Sequence, residues 1–139
     1  MSEDRRVELI REGFDAWEAG DVAGAIARYA DEIVVYAPPE IGNSGTFHGI
    51  EGFHAWTQSW LEAWDTFEQE LDFIEPFGET HAISRVSQRG IGKGSGIEVV
   101  RDATYVYEVR DEELVYIALF FDHESAIAHA REREAQSSV

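Results

Sequence analysis

The chain has 139 residues, 44% of them hydrophobic and 12% aromatic, enough for a single domain with its own core and too apolar for disorder. It has no cysteine, which excludes a disulfide framework, thiolate metal sites and cysteine catalysis. Against 28 acidic residues stand 11 basic ones, a net charge of −17 that repels phosphate backbones and anionic bilayers, so neither nucleic acid nor membrane is an expected partner.

No apolar run reaches membrane-spanning length, and Met1-Ser2-Glu3-Asp4 lacks the basic start of a signal peptide, so the expected location is cytoplasmic. Lys93 is the single lysine; the other basic residues are arginines. Such an acidic balance speaks to a solvated shell rather than to a fold.

In chain order, Val7, Ile10, Phe14 and Trp17 recur at helical spacing over 3–19, and Ser2, Glu3 and Asp4 suit a helix N-terminus. Gly20 stops this helix and Asp21 caps a short second one with Val22, Ala25, Ile26 and Tyr29 inward. Ile33-Val34-Val35-Tyr36-Ala37 reads as a strand halted by Pro38-Pro39, and 38–48 as an irregular excursion. Phe53, Trp56, Trp60 and Trp64 lie three and four apart, one aromatic face of a helix over about 49–64.

The period then falls to two. Phe67, Gln69, Leu71, Phe73 and Glu75 alternate with Glu68, Glu70 and Asp72, as in a half-exposed strand. Pro76-Phe77-Gly78 reads as a turn, His81 to Arg89 as the returning strand, and the glycines at 90, 92, 94 and 96 as a hairpin tip. Strands at 97–109 and 114–121 follow, then a helix from Asp122 with Ala126, Ile127 and Ala130 inward, and a charged tail expected to fray after about 131. The order predicts one α+β domain: a cone-shaped barrel of a curved, mostly antiparallel sheet wrapped over three N-terminal-half helices, plus a C-terminal helix. The open end of such a cone is a natural ligand site.

Three stretches carry a resemblance: Trp17-Glu18-Ala19-Gly20-Asp21 with 29–35; Gly45-Thr46-Phe47-His48-Gly49-Ile50-Glu51-Gly52; and Val109-Arg110-Asp111 through Phe121-Asp122 into Ser125-Ala126-Ile127. Together they resemble the SnoaL-like proteins of the nuclear transport factor 2-like superfamily. The resemblance implies the same cone-shaped barrel, usually a homodimer packed through the outer sheet face, among polyketide cyclases, ketosteroid isomerases, dehydratases and epoxide hydrolases. Fold therefore does not choose the function. Where the resemblance places the isomerase base, before Pro38, this chain has Ala37; where it places the oxyanion-hole tyrosine it has Gly13; a second acid falls at Asp102. An epoxide hydrolase would need Arg and Asp two residues apart, but Arg101 and Asp102 are adjacent, and its late aspartate is replaced by Leu119.

Asp102 is the sharpest candidate. In one parity of the 97–109 strand, Val100, Asp102 and Thr104 line the cone, and a carboxyl with few partners there could move a proton near neutrality. In the other, Asp102 pairs with an arginine such as Arg85 or Arg89 on the next strand. Tyr36, with Arg85, would polarise a substrate oxygen; Glu40 belongs to the loop expected over the mouth; Trp56 and Trp60 would hold the rings, with Phe53 and Trp64 beneath. The five histidines show no helical ligand spacing and no Gly-x-Ser-x-Gly elbow is present, so neither a metal nor a nucleophilic triad is expected, nor a cofactor. The leading expectation is a protein for an apolar, cyclic, carbonyl-bearing small molecule, with isomerase, cyclase or dehydratase chemistry if it is an enzyme. The alternative is a non-catalytic dimeric binding or accessory domain, with Tyr105 and Tyr107 offering outer-face area for the dimer.

Overall fold

The computed structural model describes residues 4–38 and 45–137. Their order is α1 (Arg5–Glu18), α2 (Val22–Ala25), β1 (Tyr29–Ala37), β2 (Gly45–His48), α3 (Gly49–Glu62), β3 (Trp64–Phe77), β4 (His81–Gly92), β5 (Glu98–Arg110), β6 (Glu113–Phe120) and α4 (His123–Ser137). Asp4 caps α1 by accepting from the Arg6 backbone N–H at 2.9 Å, and Asp21 does the same for α2 through Gly24. Gly20 between them takes the left-handed conformation, φ 78°, that lets the first helix stop.

The six strands form one sheet in the order β2-β1-β6-β5-β4-β3. All neighbours are antiparallel except β1 and β6, which are parallel because the chain leaves β1 and returns through α3 and the meander. Asp111 and Glu112, both at positive φ, make the two-residue hairpin between β5 and β6. The mixed α+β class and the wrapped sheet are as expected.

Local details differ from the sequence reading. The excursion at 38–48 ends in a short strand: β2 pairs with β1 from Val34↔His48 to Ala37↔Gly45. Four residues with one apolar side chain, Phe47, carry too little periodicity to announce a strand. Helix α3 stops at Glu62, and Trp64 opens β3 instead of ending the helix. Its ring lies over Gly90, where a Cβ would stand 2.6 Å from the indole. Pro76 sits within β3, which the sheet tolerates because β3 is an edge strand. A register shift between Leu71 and Phe73 turns Phe73 outward, 36% exposed, and brings Ile74 to the core.

Both faces of the sheet are covered near its centre. On the inner face Leu9 and Ile10 of α1 and Phe53 and Trp56 of α3 pack on Val35, Val86, Ala103, Ile117 and Leu119. On the outer face Ala126 and Ala130 of α4 pack on Ile83, Val106, Ala118 and Phe120. Helix α4 continues to Ser137, and Arg133 and Glu134 near its end contact the sheet. Glu134 accepts from the Glu79 backbone N–H at 2.6 Å and the Thr80 hydroxyl at 3.1 Å, and pairs with the fully buried His81. Arg133 stacks over Tyr116 and donates to Glu108 at 2.8 Å.

Candidate functional site

Between α1, α3 and the inner face lies a cavity of about 120 Å³. Helix α1 contributes Phe14 and Trp17 at i and i+3, α3 contributes Phe53, Trp56 and Thr57, and the strands contribute Tyr29, Phe67, Gln69, Tyr105 and Tyr107. A hollow of about 360 Å³ shares Phe14, Trp17, Phe67 and Gln69 with it and adds Glu18 and Glu68 at the outside. The inner volume is of the order of a cavity that takes one aromatic ring, roughly 150 Å³, and the outer hollow leaves room for a larger body to extend.

The cavity's polar groups are few. The Tyr107 hydroxyl shares a hydrogen bond with Ser84 at 2.8 Å, and Tyr105 donates to Gln69 Oε1 at 2.9 Å. Tyr29 meets the Phe53 ring edge-on at 4.9 Å between centroids. Burial pushes the Tyr29 hydroxyl far above its ordinary value, with the nearby Tyr105 adding to it. Burial raises Tyr105 to about 12, against the pull of the Gln69 and Gln88 amides and the Arg101 charge. Burial likewise holds Tyr107 high against its hydrogen bond with Ser84. All three therefore stay protonated at neutral pH and act as hydrogen-bonding hydroxyls rather than bases.

The expected site residues divide between the two faces. Trp56 lines the cavity, 7% exposed, and so does Phe53, which was expected beneath it. Asp102 does not: β5 turns Ala103, Tyr105 and Tyr107 inward, and Asp102 points out beside Arg85, 3.0 Å away. The parity that puts Asp102 in the cone is corrected, and the arginine pair is the arrangement observed. Arg85 is accordingly an outer-face residue. Tyr36 is corrected too, since it stacks on His129 of α4 and packs by Phe120 outside the cone. Tyr105 and Tyr107, expected on the outer face, are cavity residues. The side chain of Trp60 and all of Glu40 lie outside the described residues.

The overlooked groups are Tyr29, Gln69 and the two tyrosines of β5. Gln69 carried a readable signal, a polar side chain at the parity of Phe67 and Leu71. Tyr105 and Tyr107 carried none, because β5 is covered on both faces and its apolar residues do not alternate. Among the described residues lining the cavity there is no carboxylate and no imidazole. Nor is any group of three His, Asp or Glu side chains among the described residues placed to hold a metal ion. No helix of the described residues is long and apolar enough to cross a membrane.

The profile of the SnoaL-like domain matches residues 10–117. Among solved structures, an NTF2-like protein of unknown function from Burkholderia pseudomallei superposes with a TM-score of 0.76 at 19% identity, over 91% of this chain and 97% of that one. TerC, co-crystallised with polyporic acid, gives 0.74 at 14% identity over 93% and 99% of the two chains. A proposed SnoaL-like polyketide cyclase from Mesorhizobium loti gives 0.62 at 23% identity over 87% and 100%. At such identities the likeness is one of fold. No curated protein matches the chain.

Proposed function

Because this chain belongs to the SnoaL-like domain family, we propose that its inner cavity binds an apolar cyclic compound bearing a carbonyl oxygen. The observation that carries the reading is the aromatic wall interrupted by a few protonated hydroxyls and an amide. Rings of Phe14, Trp17, Phe53 and Trp56 offer flat apolar area to a ring system, while the Tyr29 hydroxyl and the Gln69 amide can fix an oxygen. The description of one structural neighbour as a proposed polyketide cyclase and the polyporic acid co-crystallised with another support a ligand of that general kind.

Between binding and acid–base catalysis, the cavity favours binding. Proton abstraction needs a group that titrates near the working pH; the described residues lining the inner cavity offer only tyrosines that burial keeps protonated, and the carboxylates of Glu18 and Glu68 stand at the outside of the adjoining hollow. A tyrosine in that state stabilises a carbonyl oxygen or an enolate by donating to it. That is enough to hold a reactive conformer but not to remove its proton.

A thermal-shift series with bicyclic ketones tests the proposal. A ketone at about 100 times its Kd adds roughly 2.7 kcal/mol to the folded state. The shift persists in Asp102→Asn, which lies outside the cone, and shrinks in Tyr29→Phe, which keeps the ring against Phe53 and loses the hydroxyl. A shift abolished by Asp102→Asn and untouched by Tyr29→Phe would place the ligand elsewhere.

A further inference from the structure

Three inner-face residues stand side by side across three strands: Gln69 of β3 is the register partner of Gln88 of β4, and Gln88 is the partner of Arg101 of β5. Their side chains form a chain of hydrogen bonds. Arg101 Nε donates to Gln88 Oε1 at 3.2 Å, Gln88 Nε2 donates to Gln69 Oε1 at 2.8 Å, and Tyr105 donates to the same Oε1 at 2.9 Å. Gln88 is 2% exposed, so each of its bonds is made inside the protein.

The direction of this chain is not free. A guanidinium has donors and no acceptor, so Gln88 must turn its oxygen to Arg101 and its amide nitrogen to Gln69. A flipped Gln88 would set N–H against N–H at a buried position. Gln69 must then answer with its oxygen, where Tyr105 fills the second lone pair. What Gln69 has left is its Nε2 with two hydrogens, and among the described residues no group accepts from it. Gln69 stands where the inner cavity meets the outer hollow and lines both.

Arg101 is itself held in place. Its guanidinium lies 3.9 Å from the centroid of Phe121 and 5.7 Å from that of Trp64. A half-buried cation that does not itself line the cavity thus fixes, two residues away, which end of an amide the ligand meets.

We infer that Gln69 is the specificity-determining residue of the cavity, presenting N–H donors to an acceptor oxygen of the ligand, and that Arg101 is the positioning residue that sets this polarity through Gln88. The inference rests on the ligand-binding reading above and narrows it. The ligand carries a carbonyl or quinone-type oxygen at the junction of the two hollows, and a hydrocarbon of the same shape binds without that contribution.

The probes are α-tetralone and tetralin, which share a bicyclic frame and differ in one carbonyl oxygen. Their affinities are read from quenching of tryptophan fluorescence, since Trp17 and Trp56 both line the cavity. Wild type prefers the ketone by roughly tenfold, the range of one or two net hydrogen bonds. Gln69→Leu brings the ratio near one while tetralin binds as before. Arg101→Met narrows the ratio because both amides are then free to turn, and Arg101→Lys, still a donor without an acceptor, restores it. A ratio unmoved by Gln69→Leu overturns the role of Gln69. A ratio preserved in Arg101→Met, or narrowed equally in Arg101→Lys, overturns the positioning role. If wild type binds both probes equally, the specificity inference fails and the cavity reading stands. If it binds neither, the cavity reading fails and takes the inference with it.

Discussion

The two faces of the sheet treat their polar residues in opposite ways. Outside, beneath α4, charges are matched: Glu108, 5% exposed, is met by Arg110, Arg133 and His81, and Glu134 by His81, Thr80 and the Glu79 backbone. Inside, the polar groups are neutral apart from Arg101, and their bonds run in one direction toward the amide of Gln69, which lines the cavity. A matched cluster closes on itself and holds elements together. A directed chain that ends at a cavity has a donor to offer. Burial and ionisable side chains alone therefore do not mark a ligand site: the richer cluster of acids and histidines is the clamp, and the site proposed above is the poorer one.

The largest effect comes from removing the carboxylate at the centre of the clamp. Glu108→Ala leaves Arg133 and His81 without their buried carboxylate and lowers the unfolding free energy by about 3 kcal/mol, measured by urea denaturation. The ketone-to-hydrocarbon ratio of the folded protein does not move. A lost ratio with intact stability would mean that the two faces are coupled.

A smaller effect is pH-dependent. Burial raises the Glu134 carboxyl, but its bonds to Glu79, His81 and Thr80 outweigh that and bring it from the usual 4.5 down to about 2. A depressed carboxylate stabilises the fold fully above its unfolded value, and that stability is lost as pH falls from about 4.5 through about 2. Melting temperature should fall across this window in wild type and less steeply in Glu134→Gln. Parallel curves would detach Glu134 from the clamp.

The smallest effect belongs to the residue that the sequence made most conspicuous. Asp102 and Arg85 are a largely exposed pair, with side chains 55% and 34% accessible. Asp102→Asn changes stability by less than about 0.5 kcal/mol, again by urea denaturation, and leaves ligand affinity alone. A change of about 2 kcal/mol would show that the pair does more than its exposure suggests.

That contrast shows what was legible in the sequence. The helix stop at Gly20, the cap at Asp21 and the aromatic face carrying Phe53 and Trp56 were readable because each rests on local geometry that the residues themselves impose. The family resemblance was readable for the same reason, in motifs at turns and caps. The face of Asp102 was not. With the inner core on one side of β5 and α4 on the other, Ala103 and Val106 are equally buried, so alternation carries no sign. Gln69 lay between these cases: its polarity within the Phe67–Leu71 stripe was visible, but its significance depends on Gln88 and Arg101, which only strand register brings beside it.

The most direct test is a crystal structure of the protein with α-tetralone bound. The bicyclic ring is expected against Phe53 and Trp56, with its carbonyl oxygen within hydrogen-bond distance of Gln69 Nε2 and the Gln88 and Arg101 bonds unchanged. A ketone seated on the outer face near Asp102, or in the cavity with its oxygen turned away from Gln69 toward the Glu18 and Glu68 side, would contradict it.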